Sequence, residues 1–462
     1  MPYSIEETIA ALSTPLGSGA LAVIRLSGNQ TRKISEKLLK RTIREEDVRR
    51  ALFGNLVDPA NNEVIDQVVL TFYRAPASYT GEDLAEISCH CNPLIINNIL
   101  RAAGKLGARM AQPGEFTQRA FLNQKMDLSQ AEAVAEVINS RTRASLSQSV
   151  RHLEGRFSET INGIKSEILN YLSLLEINLD FSEEDIVALP LEELRRKINR
   201  TNRKLSQLID SFDYGRLLQT GIKLLIMGKP NVGKSSLLNR LIGRERSIVS
   251  EIPGTTRDYI DATLEIDGIR VDAFDTAGVR ETPDPVESIG IRRTLEQLTS
   301  ADMVICMFES HRALGADDRT LLQIVREHQG ERGFLLVLNK TDLGRHSETE
   351  AALRALKLPV LSICATTGDG LKNLKQTLKS LMKIDAGLES EEIVVTSMRH
   401  FQSLTATRAA LNHAISGIEA GVSDEMIAVD IRTALDHLGE ITGETTSEDL
   451  LNHIFANFCI GK

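Results

Sequence analysis

Three short segments hold most of the residues that can do chemistry in this chain: Gly228 to Ser235 reads GKPNVGKS, Asp275 to Gly278 reads DTAG, and Asn339 to Asp342 reads NKTD. The first is a phosphate cradle. Its glycines let backbone N–H groups turn toward an anion, and Lys234 adds a point charge beside the outer phosphates. That pattern alone leaves ATP and GTP open, and NKTD decides between them. Asp342 can accept two hydrogen bonds from the edge of guanine, whereas adenine would leave the carboxylate unpaired at a cost of about 1–3 kcal/mol. Asn339 is expected to cap the ring and the Lys340 stem to lie over its face. The expected GTP contacts are therefore Asn231, Val232, Gly233, Lys234, Ser235 and Ser236, then Asp275, Thr276, Ala277 and Gly278, then Asn339, Lys340, Thr341 and Asp342.

Between the first two segments, SEIPGTTRD places Ser250, Glu251, Ile252, Pro253, Gly254, Thr255 and Thr256 where a loop must sense the terminal phosphate. Ser235 is placed to ligate magnesium through its hydroxyl, and Thr256 or Thr255 offers a second oxygen. Ras-like enzymes carry a water-orienting glutamine after DTAG, but this chain has Val279, so hydrolysis needs another group. Asn231 can direct its amide oxygen at a monovalent cation beside the phosphates. In RETPDPVESIG, Glu281, Asp284 and Glu287 are all available to hold the attacking water.

These motifs need a parallel sheet to position them. From Gly221 to about Leu381 the apolar runs IKLLIM, VDAFD, MVICMF, FLLVLN and PVLSI alternate with helical patterns, and each motif falls at a strand's carboxyl end. The order matches a Ras-like α/β P-loop GTPase domain, assigned to residues 215–383. Helical periodicity dominates on either side, over 124–214 and 384–462, so the GTPase domain reads as an insertion into one all-α domain. LNYLSLLEINLDF is apolar enough to be a buried helix whose partner comes from elsewhere in the chain. Residues 1–123 differ: ALAVIRLSG, VIDQVVLTFYR and LAEISCHC are β-rich and are interrupted by turns and two helical patterns, an α+β domain.

The chain has 462 residues, 42% of them apolar, and a formal net charge of −9. This suits a soluble multidomain protein and excludes a uniformly basic nucleic-acid binder, while leaving room for a local basic stripe. Five cysteines give no disulfide framework, and no run approaches the roughly 20 apolar residues that span a bilayer. A reducing cytoplasm with no membrane contact is the expected setting. Cys89 and Cys91 flank His90 at alternate strand positions, which reads as packed thiols rather than a metal site.

The whole chain resembles the MnmE (TrmE) family of tRNA modification GTPases. The resemblance rests on SYTGED (Ser78 to Asp83), PGEFTQRAFLNQKMDLSQAEA (Pro113 to Ala133), DFSEEDI (Asp180 to Ile186), GEITGE (Gly439 to Glu444) and the terminal FCIGK (Phe458 to Lys462). It implies modification of wobble uridine at carbon 5, in a homodimer that acts on tRNA together with a flavin-dependent, FAD-carrying partner of the MnmG type. A tetrahydrofolate derivative, in the 5,10-methylene or 5-formyl form, supplies the one-carbon unit, and glycine or ammonium the amine. The N-terminal domain resembles the family's folate-binding and dimerising module, with Arg25, Glu86, Lys125 and Lys462 at folate-contacting positions. In the GTPase domain the resemblance assigns K+ to Asn231, Ser250, Ile252 and Thr255, Mg2+ to Ser235 and Thr256, and catalysis to Glu287, with K+-activated hydrolysis coupled to pairing of two GTPase domains. Cys364-Ala365-Thr366 matches the guanine-supporting loop, with cysteine in place of the usual serine. Cys459 is either a catalytic nucleophile or a thiol packed on the last helix. The chain departs from the family at Ser18-Gly19-Ala20 and His90-Cys91-Asn92. The alternative to the modification role is a GTPase switch in ribosome or RNA assembly without folate chemistry.

Overall fold

The computed structural model describes residues 7–17, 19–180, 190–242, 262–275, 298–329, 333–382, 393–456 and 458–461. It divides into two compact units: Met1–Ala135 with His152–Ile198 and Ala409–Lys462, and Glu136–Arg151 with Asn199–Arg408.

The first unit holds a six-stranded sheet of β1 (Ile9–Leu12), β2 (Leu21–Ser27), β3 (Ala51–Val57), β4 (Val64–Tyr73), β5 (Leu84–His90) and β6 (Arg109–Met110), in the order β3-β4-β5-β2-β1-β6. All neighbours are antiparallel except β1 and β6. Period-two alternation sends Ala22, Ile24, Leu26, Val68, Leu70 and Phe72 to one face, where α1 (Thr31–Leu39) and α2 (Pro93–Lys105) cover them. Pro93 sets the first turn of α2, and the Asn92 side chain accepts the Leu94 N–H as its cap. The opposite face carries Phe53 paired with Val69, and Glu86 between Thr71 and Arg25. Next in sequence come α3 (Glu115–Leu122), α4 (Leu128–Asn139), α5 (Arg143–Leu153), α6 (Arg156–Asp180) and α7 (Leu191–Asp210). Tyr171, Leu172 and Leu175 of α6 are buried, and the partner helix that the apolar run calls for is Asp424–Thr442.

The second unit begins its sheet after α8 (Phe212–Thr220). Its strands are β7 (Ile222–Gly228), β8 (Ala262–Ile266), β9 (Ile269–Asp275), β10 (Met303–Glu309), β11 (Gly333–Asn339) and β12 (Val360–Ser362), in the order β12-β11-β10-β7-β9-β8. Five strands are parallel, and β8 runs antiparallel at the edge. The central runs are apolar because both faces are covered. Leu224, Ile226, Ile305 and Met307 meet Leu237 and Leu241 of α9 (Lys234–Ile242), while Leu225, Met227, Val304 and Phe308 meet Leu321 and Val325 of α10 (Ala316–His328). The remaining helices are α11 (Ser347–Arg354) and α12 (Leu371–Leu381) of this unit, α13 (Met398–Ala420), whose residues divide between the units at Arg408, and α14 (Asp424–Thr442) and α15 (Glu448–Ala456) of the first unit. Among the described residues no helix is long and apolar enough to cross a membrane.

Candidate functional site

The loops after β7, β9 and β11 leave the carboxyl ends of parallel strands, the edge where open α/β sheets bind ligands. In the loop after β7, Val232 is fully buried in the core below the sheet and pins the turn, while Asn231 stands exposed at φ +62. Gly233, at φ +104, must be glycine, because a Cβ there would lie 2.3 Å from the Asn339 Nδ2. Lys234 opens α9 with its ammonium turned back on the loop, donating to the carbonyls of Gly228 at 2.8 Å and Lys229 at 3.2 Å. Ser235 and Ser236 follow in the first turn of α9, and the N-terminal end of a helix favours an anion.

The base loop is held by Asn339, which is buried at the end of β11. Its Nδ2 donates to the Val232 carbonyl at 2.8 Å, and its Oδ1 accepts the Ala365 N–H at 2.9 Å. The residue expected to cap the nucleobase is thus committed to both neighbouring loops, and it joins them. Thr341 donates to the Ile363 carbonyl at 3.1 Å, and Lys340 occupies the left-handed region at φ +63. Asp342 stays exposed, as a carboxylate reading a ligand must be, and its Oδ1 accepts the Cys364 thiol at 3.2 Å. Cys364 also lies 3.0 Å from the Thr366 hydroxyl, and hydrogen bonding from Thr366 and then Thr367 lowers its thiol below the usual range. The cysteine therefore takes up the donor role of the usual serine hydroxyl.

Sequence reasoning missed Glu309, the last residue of β10. Burial alone would raise its carboxyl, but hydrogen bonds from Lys340 and then Lys229 outweigh that and hold it at about 2. Lys229 also reaches Asp318 Oδ2 at 3.1 Å, which in turn accepts the Gly315 N–H at 2.9 Å. The available signal was an acidic residue closing an otherwise wholly apolar strand, since such a group needs partners when buried.

In the first unit, Arg25 and Glu86 face each other across β2 and β5 and form an ion pair at 2.8 Å, with the guanidinium 5.4 Å from the Tyr79 ring centroid. The Arg25 Nη1 is buried without a hydrogen-bond partner. Lys125 is exposed, and its ammonium donates to the Pro76 carbonyl at 3.0 Å on the same segment that carries Tyr79. Beneath lies a cluster that the sequence reading did not assign: Arg119 pairs with Glu82 at 3.0 Å and Glu115 at 2.9 Å, and Arg109 pairs with Glu115. Burial would raise the Glu115 carboxyl, but the hydrogen bond from Arg109 and its other partners take it below the usual range.

Among the described residues no group of three or more potential metal ligands comes together. His90 Nδ1 lies 2.8 Å from Asp66 Oδ1, Cys89 is a core thiol pushed up to about 11 by burial, and Cys91 points toward the Gly17 carbonyl. At the other end of the chain, Ile460 bridges to Pro113, Gly114 N–H approaches the Cys459 carbonyl at 3.4 Å, and Gly461 sits against Leu12. Phe458 is buried, but the Cys459 side chain is exposed, so the packed-thiol alternative does not hold. Ser18, Ser250, Glu251, Ile252, Pro253, Gly254, Thr255, Thr256, Thr276, Ala277, Gly278, Glu281, Asp284, Glu287 and Lys462 lie outside the described residues, and of Asp275 only the backbone is described.

Comparison with known proteins is consistent along the chain. The family model described as "GTP-binding protein TrmE N-terminus" matches residues 8–125, and "MnmE helical domain" matches residues 128–459. The chain is 40% identical over 460 residues to the tRNA modification GTPase MnmE of Natranaerobius thermophilus, covering 99% of this chain and 100% of that protein. It is 41% identical over 477 residues to the protein of that name from Christiangramia forsetii and 39% over 462 residues to that from Koribacter versatilis, in each case over 99% of this chain and 100% of the relative. With an N-terminal TrmE domain, a helical domain and a P-loop sheet whose loops fit a guanine nucleotide, the chain belongs to the MnmE (TrmE) family.

Proposed function

We propose that this chain hydrolyses GTP to drive modification of wobble uridine at carbon 5 in tRNA, as a homodimer acting with a flavin-dependent partner of the MnmG type in the cytoplasm. The observation that carries the reading is Asn339: one buried amide ties the phosphate loop to the guanine-supporting loop, in a chain whose full length matches the family. Lys234 and the N–H groups opening α9 then neutralise the outer phosphates, and Asp342 accepts from the guanine edge. Ser235 and Thr256 would hold Mg2+, and hydroxyl oxygens suit so hard a cation. Asn231, Ser250, Ile252 and Thr255 would hold K+. These cations supply charge neutralisation as the terminal phosphate departs. Glu287 is assigned to hold the attacking water and Cys459 to act at the base.

The one-carbon donor is a tetrahydrofolate derivative held by Arg25, Glu86, Lys125 and Lys462. Support for this comes from the partnerless Arg25 Nη1, which suits an acceptor on a ligand, and from the adjoining carboxylate, which suits the amine and N–H groups of a pterin. Pairing through the N-terminal sheet is supported by its uncovered face, where Phe53 is 66% exposed beside Val69. We assign residues 1–123 to the folate and dimer domain, 124–214 and 384–462 to the helical domain, and 215–383 to the inserted GTPase domain. Deletion of the gene tests the proposal: 5-aminomethyl-type wobble uridines should disappear from the tRNA pool on nucleoside mass spectrometry, and an unchanged pool overturns it.

A further inference from the structure

From the geometry at the end of β10 we infer that Glu309 is a positioning residue for nucleotide binding, which anchors the base-covering lysine and the phosphate loop through a single carboxylate. The inference rests on the GTP reading above and adds a residue to it. In the strand order β11-β10-β7, β10 lies between the two strands whose loops bind nucleotide, with Glu309 level with Asn339 on one side and Met307 level with Gly228 on the other. A side chain at this point can reach both loops, and Glu309 does. Its Oε1 accepts from the Lys340 ammonium and its Oε2 lies 3.0 Å from the Lys229 ammonium.

The anchors are themselves fixed. The Glu309 side chain is 6% exposed, and Lys229 is held on its other side by Asp318, which is 2% exposed. Arg312 stands 3.9 Å away and adds a third cation beside the carboxylate. The consequence for binding follows from where the lysine stem must lie. Lys340 can cover the face of the base only if its chain is extended across it, and an ammonium fixed at the far end removes the rotamer freedom that binding would otherwise have to freeze. Glu309 thus acts through Lys340 on the face of the ring, and Asp342 acts independently on its edge.

Fluorescence titration of the full chain with labelled GDP and IDP distinguishes these roles, because inosine lacks the exocyclic amine that Asp342 reads. Glu309→Gln should weaken both nucleotides by the same factor, about tenfold for one partly exposed charged hydrogen bond. Lys340→Met, which keeps the apolar stem, should do the same, and because the two changes share the Lys340 contact the double variant should lose less than the two single losses combined. Glu309→Asp should recover part of the loss. Additive losses in the double variant, a changed GDP-to-IDP ratio, or wild-type affinity in Lys340→Met overturns the inference. If Glu309→Gln does not fold, the Lys340→Met titration decides alone. Failure of the unaltered chain to bind GDP would instead count against the GTP reading itself.

Discussion

Asn339 donates to the Val232 carbonyl and accepts from the Ala365 N–H, so one buried amide spans the phosphate loop and the base loop. Removing it leaves two buried backbone groups without partners, each worth about 1–3 kcal/mol. Asn339→Ala should therefore lower GTP affinity at least tenfold while leaving the sheet intact, read by nucleotide titration beside circular dichroism. Affinity within twofold of wild type would show that the bridge does not hold the loops. At this scale the sequence made the motif residues legible but not their work. NKTD marks Asn339 as a nucleotide residue, yet its two partners lie 107 and 26 positions away and become neighbours only once β7, β10, β11 and β12 are joined in one sheet. Glu309 left a fainter trace, and in the Arg109, Glu115, Arg119 and Glu82 cluster Arg109 left none and the other three only their place in SYTGED and PGEFTQRAF, because paired charges look like surface charges until they are buried.

The parallel strands were the most legible elements. IKLLIM, MVICMF and FLLVLN are runs apolar on both faces, and the structure extends them by only a residue or so to β7, β10 and β11. The edge strand β8 was not read, since ATLEI is short and half polar, although the Asp267-Gly268 turn that follows, with both φ values positive, announces a hairpin. In the first unit β2, β4 and β5 were legible from alternation, whereas β1, β3 and the two-residue β6 were not. The terminal segment was legible as a motif without a place: the structure lays Ile460 against Pro113 and Gly461 against Leu12. A Cβ at Gly461 would fall 2.2 Å from the Leu12 carbonyl oxygen at φ +91. Gly461→Val should therefore release the tail, accelerating hydrogen exchange at the Gly114 amide, and unchanged exchange there would refute this docking.

For the molecule as a whole, the helical-domain match over residues 128–459 spans the inserted P-loop sheet, in keeping with helical segments lying on both sides of it in sequence. A net charge of −9 gives the chain little general attraction for RNA, so engagement of tRNA needs a locally basic surface. Under the proposed function, GTP use in the second unit is required for modification chemistry at the base. Lys234→Ala removes the phosphate-facing ammonium and leaves the N-terminal unit untouched. The most direct test is nucleoside mass spectrometry of wobble positions in tRNA from cells whose sole copy carries that substitution, with the protein's fold verified. Loss of 5-aminomethyl-type uridines, as in the deletion strain, is the predicted result, and their persistence at wild-type levels would contradict the claim.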